Sequence, residues 1–215
     1  MRRTYTHDEI VTGIDKALIK IIEDVIDELY KSTEFSENMI FRSKVEMLKR
    51  FIENRQYENI RRINRPPTKG TKERPDIEIF GGIIVIEVKR DERELPQGEK
   101  QLQEYIEKYY KNIANKGILT TGLHWIIYTY KNGKRIEYGR YKGNEKEYLK
   151  GSIERAILNS EVRKHIHNVV KVALIQSQAY TYKPTPDNIF SIPVSYTHLR
   201  AHETSLHLVC RLLLE

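Results

Sequence analysis

The order of elements legible in this 215-residue chain predicts an α/β fold, a mixed β-sheet flanked by helices. Three observations carry the prediction. Apolar residues recur at helical spacing through the first fifty residues and again further on. Two dipeptides that favour tight turns, Gly81-Gly82 and Asn132-Gly133, each lie between β-rich runs. A helical stretch separates these two hairpins, and further helical stretches follow them, so the order reads helices, hairpin, helix, strands, helices.

Taken in order, Thr6-His7-Asp8-Glu9 is a capping box, a Thr followed three residues later by Glu. Ile10, Ile14, Leu18, Ile21, Ile22, Val25, Ile26 and Leu29 then form one wide apolar face. A second helix is expected over 36–54, with Phe41, Val45, Leu48 and Ile52 in one stripe. Residues 49–74 are strongly basic: Lys49, Arg50, Arg55, Arg61, Arg62, Arg65, Lys69, Lys72 and Arg74 face only Glu53, Glu58 and Glu73. Pro66-Pro67 and Gly70 make the second half of that run a loop. Residues 76–89 read as two strands around Gly81-Gly82. A helix over 97–115 follows, then a strand over 118–121 and a hairpin of 124–130 with 134–141. Helices are expected over 145–159 and 161–179, ending before Pro184 and Pro186. The organisation expected is an N-terminal helix (1–35), a core (36–145), a C-terminal helical segment or connector (146–193) and a tail (194–215).

The tail is a special case. Residues 194–204 and 208–215 resemble a translated sequencing-library adaptor, with 205–207 where a sample index would lie. The stretch 194–215 is therefore set aside from reasoning about fold and function. It holds Cys210, the only cysteine. Disulfide frameworks, thiolate zinc sites and cysteine nucleophiles are excluded for the rest. The chain carries a net charge of +7. No apolar run approaches the ~20 residues of a membrane helix, so the expectation is a cytoplasmic protein with no membrane partner.

The first hairpin carries the chemistry. With Gly81-Gly82 as a two-residue turn, Phe80 pairs with Ile83 and Asp76 falls opposite Glu87. Alternation then gives one aliphatic face, Ile77, Ile79, Ile84, Ile86 and Val88. The other face carries Asp76, Glu78, Phe80, Ile83, Val85, Glu87 and Lys89. Asp76, Glu87 and Lys89 converge at the open end. Two carboxylates opposite one another repel unless something positive sits between them. A hard divalent cation suits them, and Lys89 can neutralise one or orient a water. Together these are the requirements of phosphodiester hydrolysis. The competing reading is a solvated hairpin edge in which Lys89 bridges two acids.

Arg74-Pro75-Asp76 with Glu87-Val88-Lys89 resembles the motif of PD-(D/E)xK nucleases, the restriction-endonuclease-like superfamily. Gln101-Leu102-Gln103-Glu104-Tyr105 resembles the Gln-xxx-Tyr motif of several members, and 117–128 resembles the next core strands. The similarity is nearest to N-terminal nuclease domains of Type I or fused restriction–modification enzymes and spans about 36–141. It implies a restriction-endonuclease-like mixed sheet flanked by helices. It further implies that Asp76, Glu87 and the Val88 carbonyl bind Mg²⁺ (or Mn²⁺). Lys89 would position the attacking water, with Gln101 and Tyr105 facing the site from the next helix. Many members add an acid from the preceding helix, for which Glu46 is the candidate; its competing reading is an i,i+4 pair with Arg42 or Arg50.

The function expected is a Mg²⁺-dependent DNA endonuclease, the nuclease part of a restriction system, with a methyltransferase or translocase region or subunit as a further partner. Arg55, Arg61, Arg62, Arg65, Lys69, Lys72 and Arg74 are the expected DNA-backbone contacts. Two alternatives remain: a non-catalytic nucleic-acid-binding module of the same fold, and a repair or junction-resolving nuclease acting as a homodimer.

Overall fold

A computed structural model describes residues 4–32, 39–63, 74–131 and 133–181. The expected adaptor-like tail and connector end, and Arg65, Lys69, Lys72 and Asn132, lie outside them. Residues up to Gln178 form one compact unit, which holds the sheet and the candidate site.

Helix α1 (His7–Lys31) begins at the anticipated capping box: the Glu9 amide donates to the Thr6 side chain, and the Thr6 amide donates to Glu9. Its apolar stripe, Ile10 to Leu29, is buried. Helix α2 (Met39–Glu53) buries Phe41, Val45 and Leu48. Strand β1 (Arg61–Ile63) follows, inside the basic run. Then come β2 (Ile77–Ile79), β3 (Ile84–Val88), α3 (Leu95–Tyr105), β4 (Lys116–Thr120), β5 (His124–Lys131) and β6 (Lys134–Lys142). Helices α4 (Glu145–Leu149), α5 (Ile153–Leu158) and α6 (Glu161–Thr181) close the order.

Among the described residues six strands form one sheet in the order β1-β2-β3-β4-β5-β6. Every pairing is antiparallel except β3 with β4, which the α3 crossover makes parallel. The fold is α/β, a mixed and mostly antiparallel sheet between helices. Ile77, Ile79, Ile84, Ile86 and Val88 pack with the apolar faces of α1, α2, α5 and α6 in one core. Val85, Leu119, Ile126, Tyr128 and Tyr130 pack with Leu102 and Ile106 in a second core, on the α3 side. Among the described residues no helix is long and apolar enough to cross a membrane.

Four details differ from the sequence reading. The first hairpin turns through four residues, with φ of 53° at Phe80, 68° at Gly81 and 96° at Gly82. Ile79 pairs with Ile84, so Phe80 and Ile83 belong to the turn and pack against the first core, not on the acidic face. The strand register is the same, because the turn gains one residue from each strand and so widens symmetrically. Strand β1 is unforeseen: three residues carry no legible alternation, and its partner β2 lies beyond a long insertion. The helix expected over 97–115 is α3 followed by a π-helical turn, Ile106–Tyr110. The helix expected over 145–159 is broken at Gly151 (φ 100°), where Ser152 caps α5 by accepting from the Arg155 amide.

Candidate active site

Asp76 immediately precedes β2, and the pairing Ile77↔Ile86 sets it opposite Glu87. Its Oδ2 accepts the Val88 amide at 2.7 Å. A side-chain carboxylate thus takes the hydrogen bond that a longer β2 would supply from its backbone. At the same end of β3, the Lys89 ammonium donates to Glu87 Oε1 at 2.7 Å and to Gln101 Oε1 at 2.5 Å. The Lys89 amide donates to the Thr120 carbonyl at 2.8 Å, which ties the residue to β4 beyond the last rung of the strand. Three parts of the fold therefore meet here: the hairpin, the parallel strand pair and the first half of α3.

Gly98 makes the α3 contact close. A Cβ at that position would stand 2.8 Å from Lys89 Cε and 2.6 Å from Leu119 Cδ1. Any side chain would displace the lysine or the helix. Gln101, one turn later, consequently reaches the ammonium directly. Tyr105, a further turn on, is buried.

The electrostatics are dominated by Glu87, whose side chain is 5% exposed. Burial, reinforced by the Asp76 charge and opposed by Lys89, pushes its carboxyl up to about 7. Its Oε2 is buried and has no hydrogen-bond partner among the described residues. A buried carboxylate oxygen without a donor is costly, and it is the kind of atom a cation satisfies.

His7 is the site residue that sequence reasoning missed. Its Nε2 lies 3.2 Å from Asp76 Oδ1. The hydrogen bond to Asp76 holds the imidazole above its ordinary pKa range, against the opposing effect of burial. Only the packing of the α1 N-terminus at the open end of the hairpin brings the two together. Locally, His7 is just the residue after an N-cap.

The other expected residues separate. Glu46 is half-buried on α2 and pairs with Arg42 at 3.4 Å (i,i+4); among the described residues it forms no metal-holding group with Asp76 and Glu87, and His7 of the N-terminal helix is the residue that lies against Asp76. Arg61, 15% exposed, is engaged with Asp15 of α1, its Nη2 donating to Asp15 Oδ2 at 2.8 Å. This pairing turns its guanidinium toward α1. Arg62 is exposed and 3.8 Å from Glu78. Arg55 and Arg74 are exposed. His124, at the start of β5, pairs with Glu92 at 3.0 Å and so tethers the loop that follows Lys89.

Among the described residues no cluster of three or more His, Cys, Asp or Glu side chains is arranged to hold a metal ion. The smaller set fits Mg²⁺, which is commonly held by one or two carboxylates and keeps several waters. Asp76 Oδ1, the unpartnered Glu87 Oε2 and the Val88 carbonyl are hard oxygen donors of that kind. The fold and the site together define an α/β protein with a mixed sheet and a paired-carboxylate–lysine cluster at one strand end. Comparison with protein-family models, with curated proteins and with solved structures returns no match to this chain.

Proposed function

We propose that this protein is a divalent-metal-dependent DNA endonuclease of the PD-(D/E)xK type, the nuclease part of a restriction system. The observation that carries the reading is the Lys89 ammonium held between Glu87 and Gln101, beside a buried Glu87 oxygen that has no donor among the described residues. A single lysine clasped by a strand acid and a helix glutamine, with Asp76 across the hairpin, joins four of the residues of the resemblance, Asp76, Glu87, Lys89 and Gln101.

Asp76, Glu87 and the Val88 carbonyl would hold Mg²⁺ (or Mn²⁺), with His7 within reach through Asp76. When bound, the ion supplies Lewis-acid stabilisation of charge on a phosphoryl oxygen and a more acidic water. The chain's own groups do the rest. Lys89 presents a fixed positive charge toward the attacking water and the developing phosphorane charge. Gln101 holds the ammonium in place, and Gly98 lets α3 close on it. Burial keeps bulk water from the Glu87 side of the cluster.

One observation favours a second reading. Lys89 on Glu87 and His7 on Asp76 offset both acids without a metal, as a non-catalytic DNA-binding module of this fold would require. Both are tested by incubating supercoiled plasmid with the full chain, in Mg²⁺ and in EDTA, beside Lys89→Ala. Cleavage that needs the metal and vanishes in the variant supports the nuclease. Salt-sensitive binding without cleavage supports the module, and neither binding nor cleavage overturns both.

A further inference from the structure

We propose that the exposed β6 edge of the β5–β6 hairpin is the track for the sugar-phosphate backbone of the DNA substrate, with Arg140 and Lys142 as its phosphate contacts. The inference rests on the nuclease reading and adds to it where the substrate lies. The basic run beside Asp76 is the contact surface the sequence suggests, but Arg61 is turned inward to Asp15 and Arg62 lies near Glu78.

The sheet itself leads elsewhere. Cross-strand partners share a face, so the ladder Glu87↔Leu119↔Ile126↔Arg140 puts Arg140 on the face that carries Glu87. Leu119 and Ile126 are covered in the second core. Arg140, at the sheet edge, is exposed. The neighbouring row runs from Lys89, whose amide bonds to Thr120, through the Thr121 amide on the His124 carbonyl to the pair His124↔Lys142. Arg140 and Lys142 thus end the two rows that begin at Glu87 and Lys89. Three strand spacings make the separation roughly 14 Å, about four steps of the ~3.4 Å axial rise of one DNA strand.

Charge makes the partner a polyanion. Between 131 and 142 the hairpin holds Lys131, Lys134, Arg135, Arg140 and Lys142 against one acid, Glu137. All five cations are exposed. Arg135 pairs with Glu99 and Lys142 with Glu145, surface pairs of low cost to exchange for phosphate. β6 is an edge strand, and a row of cations along an edge opposes pairing with a second copy of the chain.

The test is binding of a short labelled DNA duplex over a KCl series, with Ca²⁺ in place of Mg²⁺ to hold off cleavage. It compares the wild type with Arg140→Gln/Lys142→Gln and with a control, Lys20→Gln/Lys171→Gln, on the helical side. The expected result for the first pair is a fall of about two in the slope of log K against log salt and a loss of affinity of about tenfold or more at low salt. The control and the charge-conserving Arg140→Lys/Lys142→Arg should match wild type. Equal slope and affinity in the Gln pair, with wild type binding and cutting, overturns the track and leaves the nuclease standing. A wild type that neither binds nor cuts overturns the nuclease reading and the track with it.

Discussion

Replacing Glu87 with Gln should make the protein's stability less dependent on pH, in a direction and amount that the burial of this carboxyl dictates. In the folded chain Glu87 titrates at about 7, against an ordinary 4.5. Burial is the main cause, with the Asp76 charge second. The folded state therefore holds a proton that the unfolded chain releases near 4.5. Stability is full below that value and falls as pH rises through 7, because the native state binds more protons over that window. The gap is worth roughly 3 kcal/mol, most of it lost between pH 5 and 8. The Gln variant has no such titration. Contacts that differ between the two side chains shift its curve by a constant, so the diagnostic quantity is the change with pH. Urea unfolding at pH 5, 6, 7 and 8 without metal should show the variant gaining roughly 2–3 kcal/mol on the wild type across the series. Adding Mg²⁺ should restore the wild type at pH 8 and not the variant. Metal affinity should weaken about tenfold for each pH step below 7, as the proton competes with the ion. Parallel curves for the two proteins from pH 5 to 8 would show that Glu87 is not held protonated by its surroundings. The electrostatic case for a cation there would then fail.

Gly98→Ala should place a methyl group against Lys89 Cε and Leu119 Cδ1. The expected cost is about 1–3 kcal/mol in thermal or urea unfolding, with a fall in kcat larger than any change in KM. Arg61→Ala should leave the buried Asp15 without its cation and destabilise by about 3 kcal/mol. Because Arg61 faces α1, the salt slope of DNA binding should not move; a reduced slope would return it to the DNA surface. His7→Ala should raise the Mg²⁺ concentration for half-maximal cleavage by about tenfold, while Glu46→Ala leaves it unchanged; the opposite pattern in a metal titration would restore the α2 acid.

How far the site is legible in the sequence depends on the length scale of each signal. Asp76, Glu87 and Lys89 lie within one hairpin, and strand pairing is a local rule with a period of two. Their juxtaposition can be read even from a two-residue turn where the structure has four, since the register survives a symmetric enlargement. Gln101 is reachable because only a short loop and the first turns of α3 separate it from β3. The aliphatic face of the hairpin is legible by the same alternation. Phe80 and Ile83 fall on the wrong face in that reading because positive φ at Phe80 ends the alternation one residue early. β1 and Arg61 are illegible for a different reason. A three-residue strand has no periodicity, and whether an arginine points to solvent or to Asp15 depends on a helix some 46 residues away in the chain.

By itself the sequence determined the elements whose instructions are local. These are the capped N-terminal helix, the two hairpins with their turn residues, the helix that separates them, and the presence of two acids and a lysine at one strand end. Only the tertiary structure decided which residues complete that end. It brought His7 of α1 to Asp76, set Glu46 in a pair with Arg42, turned Arg61 inward and placed Arg140 on the sheet face that carries Glu87, three strand spacings away. The physical reason is that propensity, capping and alternation act over a few residues of chain. Desolvation, charge pairing and close approach act through space, and they have no value until the layers have packed.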